Sequence, residues 1–171
     1  TPTVSPTMTS SSSSSPSPTT TPGETPTPTM TTPTWTTEQQ AAVVAVENWY
    51  VTYNEVLRDG RDPNHLATAA RGQILTDTQL TYNQFLGAGL TVEGEVSVSD
   101  LTPSELTKKN KRSAVLVNVC EDSTQWSIRD ADGNDVLELD AKTVRPLAIT
   151  VEEWPKDGWF VTRSEKGDQK C

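Results

Sequence analysis

Histidine, cysteine, methionine and phenylalanine are almost missing from this chain of 171 residues, which holds one His and two of each of the others. One histidine, His65, and two cysteines cannot supply the four ligands of a structural zinc site, so no metal is expected, and no other cofactor. Nucleophile motifs of the Ser or Cys type, glycine-rich phosphate loops and paired metal histidines are absent too. With them go the enzyme classes that such motifs mark. No apolar run has the length of a bilayer-spanning helix. Basic residues are in deficit, 14 Lys and Arg against 23 Asp and Glu, for a net charge of −9. That balance argues against nucleic acid and against electrostatic adhesion to anionic lipid.

What is present falls into two unlike parts. Of the first 37 residues, 31 are Thr, Ser or Pro. Such a stretch has almost no apolar surface to offset the entropy of ordering, so residues 1–36 are expected to be a disordered stalk. Proline biases it toward extended, solvated conformers, the behaviour of a spacer. The composition is that of O-glycosylated stalks on exported proteins, with a plain interdomain linker as the other reading. Thr1 reads as the cut end of a longer precursor, and a lipid-modified cysteine ahead of it would anchor the protein. The expected address is therefore extracytoplasmic: secreted, or held on the outer face of the cell membrane.

Residues 37–171 have the length of one ordinary domain. Thr36 and Gln39 form a capping box at the start of a first helix, with Val43, Val46, Tyr50, Tyr53 and Leu57 along one face and Gly60 as the stop. Asp62 and Pro63 open a short second helix that Gly72 ends, and Ile74, Tyr82, Phe85 and Leu86 carry a third. The period then changes to two. "LTVEGEVSVSDL" is one strand, and "RSAVLVNVCED" places Val115, Val117 and Val119 on one face with Ala114, Leu116 and Cys120 on the other. "TQWSIRD" continues that strand to a polar turn, and "TVRPLAITVEEW" and "GWFVTRSE" form a hairpin around Asp157-Gly158. The expected class is α+β: three N-terminal helices packed on a curved antiparallel sheet of about four strands.

"AVENWYVTYNEVLRDGRDPNHL", "VCEDSTQWSIRDADGNDV" and "WPKDGWFVTRSEKGDQKC" together resemble the nuclear transport factor 2-like superfamily, the cone-shaped α+β fold that includes ketosteroid isomerase and scytalone dehydratase. Within it, the chain resembles small secreted or lipid-anchored actinobacterial proteins. In such a sheet the last strand lies near the central one, which implies a disulfide between Cys120 and Cys171. The loop so closed, about fifty residues, corresponds to roughly 4 kcal/mol of chain entropy. A disulfide in turn fits an oxidising compartment. Enzymes of the superfamily place acids and tyrosines inside the cone, and here Tyr50, Tyr53, Tyr82 and Asp100 are the residues able to line such a pocket. None of them matches a catalytic motif position.

Other features have a plain reading beside a functional one. "DADGND" has the acids of a calcium loop but not its spacing, and reads as a turn. His65, near Asp59 and Asp62, reads as part of helix-end chemistry rather than as a general base. Trp154 and Trp159 flank a hairpin tip and are either core or a patch for a partner. "KKNKR", 108–112, is expected as a solvated loop, with docking to an anionic envelope polymer as the alternative. The function expected is a non-catalytic module that binds an envelope protein partner or a small apolar ligand. The rival is an isomerase, dehydratase or hydrolase using acids and tyrosines in the cone. A narrower version of the binding function is a lipoprotein of an integrated viral genome that blocks a second infection.

Overall fold

Thr36 starts the first helix as its sequence requires. In the computed structural model, which describes residues 34–109, 111–137 and 141–171, the Gln39 amide N–H donates to Thr36 Oγ1 and the Thr36 N–H to Gln39 Oε1. Helix α1 then runs Thr37–Leu57, burying Val43, Val46, Tyr50 and Leu57. The expected stalk lies outside the described residues except for its last three. The chain from Thr34 to Cys171 is one compact unit.

The second helix is shorter and tighter than expected. Pro63–Thr68 is a 3₁₀ helix, with Asp62 as its N-cap accepting from the Asn64 N–H at 2.8 Å. Gly72 does not end it. At φ 65° this glycine turns the chain directly into α2, Gly72–Gly87.

The strands number more than four. β1 (Thr91–Glu93) and β2 (Ser97–Pro103) replace a single strand, because Gly94 at φ 74° breaks the run. A Cβ there would stand 1.8 Å from the Gln125 carbonyl oxygen, so only glycine permits that approach. β3 (Thr107–Lys109), β4 (Arg112–Asp122), β6 (Val144–Trp154) and β7 (Gly158–Lys166) join β2 in a five-stranded antiparallel sheet ordered β2–β4–β6–β7, with β3 beside β2 along β4. β5 (Ser127–Arg129) is not a continuation of β4. It is separated from it by a turn and pairs with β1 in a two-stranded ribbon. The "KKNKR" cluster is part of the sheet and not a loop alone: β3 ends in it and β4 begins in it.

The two faces of β4 explain the layering. Val115, Val117 and Val119 are fully buried under the helices, beside Ile149 and Val151 of β6, Val161 of β7, and Val46, Val56 and Leu66. Each such side chain contributes about 1.5–3 kcal/mol by leaving water. On the opposite face Ala114 and Cys120 are buried, while Leu116 between them is exposed. The Cys120 end is covered by the chain's own tail. The Gln169 side-chain amide donates to the Val119 carbonyl at 2.7 Å and the Leu147 carbonyl at 3.3 Å, and the Gly167 N–H donates to the Pro146 carbonyl at 3.0 Å. Cys171 then bonds to Cys120, with Cα atoms 5.5 Å apart across 51 residues of sequence.

Candidate functional site

Strand parity carries charge inward at one end of the sheet. Val115, Val117 and Val119 point at the helices, so the next residue of that parity, Glu121, does as well. In β6 the partners across the ladder are Val151, Ile149, Leu147 and Arg145, in that order. In β7, Ser164 lies opposite Ile149 and Lys166 opposite Leu147. The apolar rows of the core thus end in a row of Leu147 and Lys166, and then in one of Glu121 and Arg145.

Above these rows α1 supplies Trp49, Tyr50 and Tyr53, and α2 supplies Ile74 and Thr78. The helices and the sheet do not close here. They leave a cavity of about 490 Å³, within the range of roughly 300–1,000 Å³ in which proteins hold small ligands. Its inner wall is apolar and aromatic, and Tyr53 continues into a cluster with Trp49 and Trp126 at ring separations of 5.7 and 6.4 Å.

A polar cluster of buried Tyr50 and Glu121 with the exposed Arg145 closes one side. The Tyr50 hydroxyl donates to Glu121 Oε2 at 2.7 Å, while Arg145 Nε and Nη2 donate to Glu121 Oε1 at 2.8 and 2.7 Å. Burial raises the Tyr50 phenol well above its ordinary pKa, and the adjacent Glu121 carboxylate adds to the effect. Tyr53 is raised by the same two causes in the same order. Both tyrosines are therefore neutral hydroxyls at any physiological pH. Glu121 has each oxygen occupied by a donor, so it acts as an acceptor that fixes Tyr50. Arg145 occupies Oε1 twice and Tyr50 occupies Oε2 once, so the carboxylate is held from two sides.

Tyr50 and Tyr53, singled out from the sequence, come together in this cavity. Tyr82 and Asp100 do not join them. Tyr82 is buried against a separate pocket of about 140 Å³ with Leu57, Phe85 and Leu90. Asp100 is exposed: it sits in a β-bulge between Ser99 and Thr102 at φ 53°, and the bulge turns its side chain away from the cavity. Trp154 and Trp159 lie at the base of the β6–β7 hairpin tip, outside the cavity lining. Both are partly buried against their neighbours, and the Trp154 ring is covered by the Arg112 guanidinium at 3.8 Å, with Arg71 at 6.0 Å.

His65 contacts Glu55 at 3.2 Å, remote from the cavity lining. The Asp130 carboxylate accepts from the Asp132 and Asn134 backbone N–H groups, which makes it the organiser of its turn. Glu121, Arg145, Glu165 and Lys166 are the charged cavity residues that the sequence reading passed over.

No protein-family model matches the chain, and no curated protein does. Among solved structures it is similar to the one titled "Crystal structure of intermembrane space region of chloroplast protein ARC6". That likeness has a TM-score of 0.58 and 16% sequence identity, and covers 77% of this chain and 97% of that one. At this identity it speaks to the fold alone: helices packed on an antiparallel sheet. The disulfide fits an oxidising compartment.

Proposed function

We propose that this chain is an exported binding protein of the cell envelope, a member of the nuclear transport factor 2-like superfamily that holds a small apolar ligand between α1, α2 and the sheet. The carrying observation is the cavity of about 490 Å³ with Trp49, Tyr53, Ile74 and Leu147 in its wall and a self-satisfied Tyr50–Glu121–Arg145 cluster at its side. An apolar wall removes ligand surface from water, and Glu121 is engaged by Tyr50 and Arg145 instead of standing free as a base. The Thr/Ser/Pro composition of the first 36 residues and the disulfide support the address. Attachment through a lipid on a cysteine ahead of Thr1 belongs to the same proposal.

One observation favours the enzymatic reading: a tyrosine does face an acid at the cavity wall. In that reading a substrate displaces Tyr50 from Glu121 and the freed carboxylate acts as base. Native mass spectrometry of the protein purified from its own source separates these outcomes. The expected spectrum holds a non-covalent apolar ligand, unchanged on incubation, and an N-terminal lipid adduct. A chain that leaves its source empty, and whose cavity takes up no neutral apolar probe, overturns the binding function. A free amine on Thr1 overturns the anchor.

A further inference from the structure

The charges lining the cavity sum to zero, yet they do not pair off one to one. Four ionisable side chains of fixed charge line it: Glu121, Arg145, Glu165 and Lys166. Glu121 is neutralised by Arg145 at 2.7 Å, and Glu165 by Arg163 at 3.2 Å. Lys166 has no carboxylate within salt-bridge reach among the described residues. Asp77 and Arg163 both belong to the smaller adjoining recess of about 180 Å³. A protein of net charge −9 thus presents, at the mouth of this cavity, one cation that no carboxylate contacts among the described residues.

Its position is held from both sides. Lys166 pairs across the ladder with Leu147, and the next residue, Gly167, donates its N–H to the Pro146 carbonyl at 3.0 Å. The Lys166 backbone is therefore fixed at the edge of the wall that Leu147 and Ile74 form, with its ammonium within side-chain reach of the cavity. A cationic ligand would find the deeper carboxylate, Glu121, already paired with the Arg145 guanidinium.

Resting on the reading of this cavity as a ligand site, we infer that its ligand is an amphiphile with an apolar body and a single anionic head group, the body lying along Trp49, Ile74 and Leu147 and the head on Lys166. A long-chain carboxylate is the simplest member of that class.

The test uses the whole disulfide-bonded chain loaded with the neutral fluorophore N-phenyl-1-naphthylamine. Dodecanoate, dodecan-1-ol and dodecyltrimethylammonium, each below its micelle concentration, compete for the cavity. Dodecanoate is expected to displace the probe at about one tenth the concentration of the alcohol, the ratio expected for one charge-assisted contact. The ammonium compound is expected to be the weakest competitor, and added salt should narrow the gap between acid and alcohol. Lys166→Gln should abolish the preference for the acid and leave the alcohol unchanged. Because Lys166 is exposed at a strand end, the urea midpoint of that variant should match the parent's and so exclude a folding defect. Equal displacement by acid and alcohol in the parent, or a preference that survives in Lys166→Gln, overturns the head-group inference. A fluorophore that does not bind at all overturns the cavity reading instead.

Discussion

Cutting the link between Cys120 and Cys171 tests stability and site together. The loop that it closes spans 51 residues, for which the entropy of closure amounts to about 4 kcal/mol. Domains of this size have a total stability of only about 5–15 kcal/mol, so the loss is a large fraction. Cys171→Ser is the clean perturbation: Cys171 is exposed and tolerates a hydroxyl, whereas Cys120 is 2% exposed and would bury one. In urea, with a slope of about 2 kcal/mol/M, the midpoint should fall by about 2 M. The parent treated with reductant should fall to the same midpoint. The strand ends tied by this loop carry Glu121, Arg145, Leu147 and Lys166, so affinity for a neutral apolar probe should also weaken before the protein unfolds. A midpoint within 0.5 M of the parent's, roughly 1 kcal/mol, would refute the argument. It would mean that the Gln169 and Gly167 hydrogen bonds alone fix the tail.

Two further outcomes follow from the same geometry. Tyr50 and Tyr53 have phenols raised above their ordinary range by burial and by Glu121. Above about pH 10 the unfolded chain therefore loses protons that the folded chain keeps, and stability falls with rising pH by about 1.4 kcal/mol per unit for each of the two. Below pH 10 their contribution is fully present. Tyrosinate absorbance from these two residues should appear only together with loss of circular dichroism; a folded chain in which two phenols ionise near pH 10 would show that they are not buried as described. Gly94→Ala should cost about 3 kcal/mol or more, since its Cβ meets the Gln125 backbone at 1.8 Å, while Gly133→Ala, also at positive φ but in open space, should cost about 1–2 kcal/mol. Equal urea midpoints for the two variants would refute the backbone clash.

The elements that were legible in the sequence are those determined by local chemistry. Thr36 and Gln39 satisfy each other's backbone within one turn, so the start of α1 needs nothing from the rest of the chain. The valines of β4 alternate over five residues, and that period admits only a strand. Errors occurred where a distant atom decides. Whether Gly94 lies inside a strand or breaks one depends on the Gln125 carbonyl, 31 residues away, and no local pattern encodes that approach. Gly72 is a similar case. Glycine ends helices often enough to be read as a stop, but here its positive φ joins one helix to the next.

The site was half legible for a reason that bears on other chains. Tyr50 and Tyr53 lie on the apolar face of α1, so they point inward wherever that helix packs. Tyr82 points inward too, yet into a different pocket, because a helix face specifies burial and not which void the side chain reaches. Asp100 misled because alternation counted from Val96 and Val98 does not register a bulge. Glu121 and Arg145 had a usable signal all along. Each continues the inward parity of its strand by one step, Val115-Val117-Val119-Glu121 and Val151-Ile149-Leu147-Arg145. A charge at an inward position is costly unless it is paired, and antiparallel strands ending at the same edge bring their last inward residues opposite each other. Opposite charges that extend two such apolar alternations are therefore a legible pair. The wall that they close, at the frayed end of a core, is where a cavity is to be sought.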